Sequence, residues 1–382
     1  RLVGSEMCIR DRANNNEVII NKLAKNSVKT NKKQYAILFF TIILSAFMLF
    51  CVFTIGMTYL NSSRLQNTRL NGAEYDIVTM NGFTSEQLNT LQQNENIRSV
   101  GIESYAGFIQ STEYDKTVEI GLLWCDEVFW DNLMSPARTK LDGHYPQNKN
   151  ELMVTKDILK TCGNENLSVG DSLILTYENN TGVYTDEFVI SGIWDGYGDT
   201  SAGFVSKAFY DETGYDLKNN GILCIKLNCN YVFPTTIQSI EKSLDFSDRQ
   251  IFAPTGYIEN SFKLLLGICG LALVICLSAY LLIYNILYLS VSGKIRYYGL
   301  LQSLGMTKKQ LVRFIIKQMI LVGILGIFIG NLLGIILCMK LVPYILGILG
   351  ISTGNMTLQF NPVILIVSIV VTIFSIILGM KK

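Results

Sequence analysis

The chain has 382 residues, of which 49 % are hydrophobic and only 16 % are charged, whereas a soluble domain carries about 25 % charged residues. Its formal net charge is +1, but residues 61–262 contain 28 acidic and 14 basic side chains, and no Asp or Glu follows Glu259. The acidic middle of the chain excludes nucleic-acid binding there. The carboxylate-free remainder is typical of a membrane domain with basic cytoplasmic loops.

The chain begins with residues 1–12, RLVGSEMCIRDR, which lack the apolar region of a targeting signal. They resemble a translated sequencing-adapter tail, and we expect them to be an artefact. Residues 35–59 then form an uncharged apolar run of 25 residues, long enough for a first transmembrane helix. Residues 13–34 are predicted to be cytoplasmic because five lysines precede the span: Lys22, Lys25, Lys29, Lys32 and Lys33.

Residues 60–262 have the composition of a globular domain, and their position after an outward-going span predicts that the domain is extracytoplasmic. Alternating apolar and polar residues predict strands over residues 116–122, 171–177, 187–193 and 221–227. Residues 84–93 and 235–244 have the periodicity of short amphipathic helices. We therefore expect an α+β fold.

Three more apolar runs follow, and they predict transmembrane helices over residues 263–289, 311–342 and 362–380, the second of them stopping at Pro343. The connection over residues 290–310 is basic, which predicts a cytoplasmic location, whereas residues 343–361 carry no charge and are predicted to be extracytoplasmic. The predicted fold class is a membrane protein with four transmembrane α-helices, one plus three, and a large α+β extracytoplasmic domain inserted after the first. Both termini are expected in the cytoplasm.

The basic connection contains a predicted amphipathic helix over residues 294–304. Ile295, Tyr298, Leu301 and Leu304 recur at helical spacing, and Gly305 is a suitable residue to end the helix. Such a helix either lies on anionic lipid or inserts into a cleft of a partner protein. The residues alone leave both interpretations open.

The third predicted span contains a repeat of small residues, Gly326, Gly330 and Gly334, on one helical face. Glycine lets two helix backbones approach closely, so this face is predicted to pack against another helix. Packing within the bundle and a seam between two copies are both compatible with the repeat. Asn285 and Asn331 are the polar residues inside spans that we expect to form hydrogen bonds between helices.

Several kinds of chemistry lack a signature in this sequence. It contains no GxxxxGK[ST] nucleotide loop, and its only histidine, His144, is predicted to lie in a surface loop. Cysteine spacing matches no zinc or CxxC pattern, and the state of four cysteines stays open between free thiols and a bridge such as Cys224–Cys229: Cys125, Cys162, Cys224 and Cys229. We therefore expect no catalytic residues, no metal and no cofactor.

The segment over residues 290–311, SVSGKIRYYGLLQSLGMTKKQL, resembles the signature of the FtsX-like permease family. The matching residues are Ser290, Val291, Arg296, Gly299, Leu301, Leu304, Gly305 and Thr307. Residues 143–159, 169–171 and 188–194 are similar to parts of the MacB-like core domain of that family. The chain departs from the family pattern at Tyr297, which is usually acidic, and at Gln302, which is often basic.

The resemblance implies a non-catalytic permease subunit of a bacterial ABC transporter in the cell membrane, with a separate cytoplasmic ATPase as partner. The residues that it implies for ATPase coupling are Lys294, Arg296, Gly299, Leu301, Leu304, Gly305 and Thr307. A lipophilic or peptide substrate would be exported or extracted; the alternative is a sensor or activator that moves no substrate. Further expected partners are membrane lipid and a second permease half or copy, but no nucleic acid. Family members commonly continue beyond this point, so we expect a fragment.

Overall fold

The computed structural model describes residues 17–110, 120–197, 202–348 and 362–380. The chain divides into two compact units. We call residues 1–58 and 267–382 the helical unit and residues 59–266 the sheet unit. The boundaries between them fall within two long helices, so each of these helices contributes to both units.

Among the described residues, the helical unit contains six helices, and helices are numbered in chain order over both units: α1 (Glu17–Thr30), α2 (Lys32–Asn71), α8 (Gly256–Ser292), α9 (Ile295–Ser303), α10 (Lys308–Ile348) and α11 (Pro362–Met380). Three stretches are long and apolar enough to cross a membrane: Lys32–Asn71, Gly256–Ile286 and Lys308–Ile345. Helix α11 is a shorter apolar helix of 19 residues. The chain is therefore an integral membrane protein, while the fourth pass and the orientation stay predictions.

Helix α10 continues through Pro343 to Ile348, beyond the point where we expected the third span to stop. Proline removes one backbone hydrogen bond from a helix interior. The residues after it remain apolar and carry no charge up to Ile348, and in lipid a helix satisfies the other backbone groups better than an irregular chain does. Losing one backbone hydrogen bond at Pro343 therefore costs less free energy than ending the helix there would.

The sheet unit is built on ten strands: β1 (Ile77–Met80), β2 (Ile97–Ile109), β3 (Ile120–Cys125), β4 (Arg138–Gly143), β5 (Glu151–Thr155), β6 (Ser172–Asn179), β7 (Gly182–Gly196), β8 (Ala202–Val205), β9 (Ile222–Leu227) and β10 (Ile251–Pro254). Their order is β10-β1-β9-β2-β3-β8-β5-β7-β4, and β6 pairs with β2 and β7. Pairing is mainly antiparallel; β3 with β8 and β5 with β7 are parallel. The predicted α+β fold is confirmed.

Five α-helices complete the described part of this unit: α3 (Ser85–Gln92), α4 (Lys156–Thr161), α5 (Lys207–Tyr210), α6 (Leu217–Asn220) and α7 (Pro234–Ser243). Helix α3 begins with a capping box between Thr84 and Gln87, which satisfies backbone donors at the start of the helix. The predicted helices and strands of this unit are confirmed to within three residues where the structure describes them, except that the strand predicted over residues 187–193 is the longer β7, which begins five residues earlier. Of the strand predicted over residues 116–122, residues 116–119 lie outside the described part.

The core of the sheet unit consists of clusters on the faces of the sheet. One cluster joins α3 and α7 to the central strands through Leu91, Ile225 and Ile240. Another cluster packs Leu152 and Phe188 against buried side chains of α4 and α5. The four cysteines of the sheet unit are free thiols: Cys125, Cys162, Cys224 and Cys229. The bridge between Cys224 and Cys229 is not formed, because Cys224 points into a buried cluster while Cys229 is exposed.

Candidate functional site

The turn between α9 and α10 accounts for two of the candidate coupling residues. Gly305 has a φ of +99°, in the left-handed region that favours glycine. Its N–H donates to the carbonyl of Gln302 over 3.0 Å, and the N–H of Met306 donates to the carbonyl of Leu301 over 3.0 Å. This pair of hydrogen bonds is a Schellman motif. The prediction that Gly305 ends the helix is confirmed.

Thr307 starts the next helix through a reciprocal pair of hydrogen bonds. The backbone N–H of Gln310 donates to Thr307 Oγ1 over 3.3 Å, and the backbone N–H of Thr307 donates to Gln310 Oε1 over 2.9 Å. This is a capping box. The Leu-Gly-x-Thr pattern therefore ends α9 and begins α10 within four residues. Gly305 and Thr307 thus determine the direction in which α10 continues from α9.

One side of α9 is anchored within the helical unit. Tyr298 is 8 % exposed and lies in a buried cluster with Ile20, Ala24 and Phe314, against which Leu301 also packs. The sequence grouped Leu301 and Leu304 on one apolar side, but the structure separates them. Leu301 belongs to the internal packing, whereas Leu304 does not.

The other apolar residues of α9 are exposed. Leu300 is 62 % exposed, Leu304 is 81 % exposed and Tyr297 is 41 % exposed. At 100° per residue, these three positions fall within one arc of the helix, and we call them the α9 surface. Ile295 is 64 % exposed but lies at a different angle. Gly299 is exposed and an added Cβ there would meet no atom within 4 Å.

The positive charges of this region are divided between the surface and the interior. Arg296 is exposed on α9, and Lys308 and Lys309 are exposed at the start of α10. Lys294 instead directs its ammonium group toward Tyr35, with Nζ 5.1 Å from the ring centroid. Burial lowers the pKa of Lys294. Of the predicted coupling cations, Arg296 is therefore available to a partner and Lys294 is turned inward.

Helix α1 was missed by the sequence analysis, which assigned residues 13–34 only as a cytoplasmic segment. Ile20 and Ala24 are buried against α9 and α10, while Lys22, Lys25 and Lys29 are exposed. The signal was present as apolar residues four positions apart among lysines, which is the pattern of an amphipathic helix. Helix α1 therefore supports α9 from its inner side.

The glycine repeat of α10 faces α2 within the same chain. A Cβ built on Gly330 would lie 2.6 Å from the carbonyl oxygen of Ile43 and 2.9 Å from Cβ of Ala46. A Cβ on Gly326 would meet Ile42 at 2.9 Å, and one on Gly334 would meet Phe50 at 2.6 Å. The two backbones thus approach too closely for side chains at these positions.

Helices α10 and α11 share polar contacts beside the glycine repeat. Ser368 of α11 donates to Asn331 Oδ1 over 3.0 Å, and Asn331 Nδ2 donates to the carbonyl of Ile327 over 2.9 Å. Asn331 therefore forms the hydrogen bond between helices that the sequence predicted. Asn285, the other polar residue inside a predicted span, is exposed on α8.

The described residues of the sheet unit contain no arrangement of side chains for catalysis or metal binding. Within the described ranges, no group of three or more His, Cys, Asp or Glu side chains could hold a metal ion. His144 is exposed, and its Nδ1 lies 3.0 Å from the carbonyl oxygen of Tyr145. Burial raises the pKa of the Glu103 carboxyl to about 7, but no nucleophile and base are paired beside it in the described contacts.

Comparison with known proteins gives one matching family model and several solved structures of low similarity. The FtsX-like permease C-terminal family matches residues 269–380. No curated protein matches the chain. Among solved structures, the chain is similar to the periplasmic region of MacB from Actinobacillus actinomycetemcomitans at 13 % identity, covering 51 % of this chain and 95 % of that one, with a TM-score of 0.35.

Two further solved structures are similar at the same level. One is a domain of a putative permease from Porphyromonas gingivalis, at 9 % identity over 48 % of this chain and 89 % of that one, with a TM-score of 0.31. The other is the extracellular domain of the ABC-type transporter YknZ from Gram-positive bacteria, at 12 % identity over 44 % and 87 %, with a TM-score of 0.29. The family match begins within α8 and ends at the last residue of α11, so residues 269–380 are similar to the C-terminal domain of FtsX-like permeases.

Proposed function

We propose that the chain is the permease subunit of an ABC transporter in a bacterial cell membrane, and that a separate cytoplasmic ATPase binds the α9 surface. The family match supports the permease assignment. Both termini and α9 would lie in the cytoplasm, and the sheet unit would lie outside. ATP hydrolysis would take place in the partner, so the chain itself would be non-catalytic.

The observation that carries this proposal is the division of α9 into an anchored side and an exposed apolar side. Tyr298 and Leu301 fix the helix on α1 and α10, which leaves Leu300 and Leu304 more than half exposed. Exposed apolar residues on a rigidly held short helix fit the cleft of a protein partner, because burying them there is favourable and no loop has to be ordered first. Arg296 beside them adds a charge for pairing with that partner.

Movement of α9 would be transmitted through the helices that belong to both units. The continuous helices α2 and α8 extend from membrane-spanning residues into residues of the sheet unit. A displacement at the ATPase would thus reach the extracytoplasmic domain through the backbone of these two helices. We propose that the domain acts on a lipophilic or peptide substrate, which is exported or extracted. A second permease half or a second copy would complete the transporter.

The test replaces the exposed leucines and leaves the anchored side unchanged. Leu300→Asp combined with Leu304→Asp should reduce co-purification with the cognate ATPase at least tenfold and abolish stimulation of ATP hydrolysis, because two carboxylates would enter an apolar cleft. Ser303→Asp is the matched control, since it adds a carboxylate to the same helix without removing an apolar side chain. It should retain most of the complex.

The alternative is that α9 is only an interfacial helix on anionic lipid. In that case the double variant would weaken binding to anionic vesicles and leave the ATPase complex and its turnover normal. That outcome would contradict the proposal. Leu301→Asp is unsuitable for this test, because Leu301 packs inside the helical unit and its replacement would disturb folding as well.

A further inference from the structure

The sheet unit contains a polar cavity of about 260 Å³ beneath the hairpin formed by β6 and β7. Tyr177 and Tyr184 face each other across the hairpin, and Asp186 lies two residues beyond Tyr184 on the same face of β7. Phe209 and Glu212 also line the cavity. The cavity belongs wholly to the sheet unit and is separate from the α9 surface.

The aromatic part of the cavity is held in place from below. Tyr177 and Phe209 are 4 % and 5 % exposed, and their ring centroids are 5.4 Å apart. The ring of Tyr184 lies 6.0 Å from that of Tyr177 and is 42 % exposed. The cavity therefore has a buried aromatic floor and one accessible tyrosine ring in its wall.

The loop at residues 213–214 is hydrogen-bonded to the turn between β6 and β7. The backbone N–H of Asn180 donates to the carbonyl of Thr213 over 3.2 Å, and Asn180 Nδ2 donates to the carbonyl of Gly214 over 2.9 Å. Thr181 Oγ1 donates to the hydroxyl of Tyr184 over 3.1 Å. The hydrogen bonds of Asn180 hold the loop at Thr213 and Gly214 against the hairpin, so the cavity is part of the folded structure.

The charges of the lining favour a cation. Tyr177 donates its hydroxyl to Asp186 Oδ2 over 2.6 Å, which positions this carboxylate and leaves Oδ1 without a hydrogen bond among the described contacts. Glu212 pairs with Lys149 at the rim. Two carboxylates and one ammonium group give the lining a net negative charge, and the surrounding domain is acidic as well. Tyrosine ring faces attract cations at short range.

We propose that this cavity binds the ammonium or guanidinium group of a lysine or arginine side chain presented by a peptide. The cation would lie against the ring of Tyr184 and donate a hydrogen bond to the carboxylate of Asp186, with its alkyl stem toward Phe209. The size of the cavity suits one side chain and excludes a folded ligand. This inference does not depend on the coupling role of α9.

Saturation-transfer NMR on the full chain in nanodiscs of zwitterionic lipid tests the proposal with two small probes. Nα-acetyl-lysine amide carries the side-chain ammonium group. Nα-acetyl-norleucine amide has the same four-carbon side chain without the charge. The lysine probe should bind saturably and the norleucine probe several-fold more weakly. Asp186→Asn should weaken the lysine probe about three- to tenfold, because it removes charge and keeps shape. The neighbouring Glu187→Gln is the control and should have no effect.

Two further variants separate a cation site from a nonspecific acidic surface. Tyr184→Phe should retain binding while Tyr184→Leu weakens it, since only the ring interacts with the cation. Lys149→Met should tighten binding by removing a competing ammonium group. Equal binding of both probes, equal effects of Asp186→Asn and Glu187→Gln, or no saturable binding of the lysine probe would overturn the proposal. Unchanged thermal melting of each variant confirms that it is folded.

Discussion

Replacement of Lys226 by methionine should strongly destabilise the sheet unit, because this lysine neutralises a buried carboxylate. Lys226 lies on β9 and is 5 % exposed. Its Nζ is 3.2 Å from Asp76 Oδ2 and 3.1 Å from Glu74 Oε1. Asp76 is 1 % exposed and also accepts a hydrogen bond of 2.9 Å from the backbone N–H of Leu227. The Lys226→Met variant keeps the stem and leaves Asp76 without its counter-charge.

The expected loss follows from the burial of both partners. Removing one member of a buried ion pair costs about 3–5 kcal/mol, since the remaining charge stays desolvated. In a domain of about 200 residues, 1 kcal/mol corresponds to about 2–4 °C in melting temperature. The variant should therefore melt about 6–20 °C below the unmodified protein near neutral pH.

The pH dependence provides a second readout with a definite sign. Burial raises the pKa of Asp76, and Lys226 opposes that effect. Without Lys226 the folded-state pKa of Asp76 should rise further. A carboxyl whose pKa is higher in the folded state binds more protons there, so stability falls as pH rises from the unfolded to the folded pKa. The deficit of Lys226→Met should thus be smaller at about pH 5 than at about pH 8.

Tryptophan fluorescence can follow this unfolding selectively in the full-length chain. The chain has three tryptophans, Trp124, Trp130 and Trp194, and all three lie in the sheet unit. Lys242→Met removes an exposed lysine from α7 and serves as the control, with an expected change of less than about 1 kcal/mol. If Lys226→Met melts together with this control at about pH 8, the buried pair does not stabilise the fold as argued.

The remaining predictions concern a carboxyl, a helix contact and the topology. Glu103→Gln should stabilise the sheet unit by about 1–3 kcal/mol at about pH 8 and have little effect at about pH 4. The folded-state pKa of Glu103 is raised to about 7, so ionisation of this carboxyl opposes folding. Thermal unfolding followed by tryptophan fluorescence at both pH values measures the difference. Gly330→Leu should lower the melting temperature of the solubilised chain, since a side chain there overlaps Ile43, whereas unchanged melting would show that this face meets lipid. In a cysteine-free background, an impermeant maleimide on intact cells should label Gln238→Cys and spare Ser303→Cys; the reverse pattern would invert the topology.

The long elements were predictable because lipid and burial impose simple patterns. An uncharged run of 25 residues has few alternatives to a transmembrane helix. Strands β6 and β9 alternate or cluster apolar residues over lengths typical of strands, and they lie within two residues of the predicted bounds, whereas β7 is about twice as long as predicted. The order of ten strands was not predictable, because it depends on pairings such as β1 with β10 between residues far apart in the chain.

Buried charges were the largest omission of the sequence analysis. Lys226 lies in the apolar run of β9 and Asp76 precedes the short strand β1, so each looked like an ordinary polar residue at the end or edge of a strand. Their pairing joins positions 150 residues apart. The only signal in a single sequence is a charged residue within a strand that has no oppositely charged residue nearby in the chain. This signal does not identify the residue with which it pairs.

The segment around α9 shows why helical spacing alone could not separate folding from function. Ile295, Tyr298, Leu301 and Leu304 recur every three residues, which indicates a helix but not which of them face its neighbours. The neighbours are supplied by α1 and α10, whose contacts bury Tyr298, partly bury Leu301 and leave Leu304 exposed. The family-like Gly305 and Thr307 have backbone roles at the turn, so their presence reflects geometry as much as partner binding. Selectivity for one ATPase should therefore reside in the exposed Tyr297, Leu300 and Leu304, and exchanging these three between related permeases should exchange the partner while leaving the turn intact.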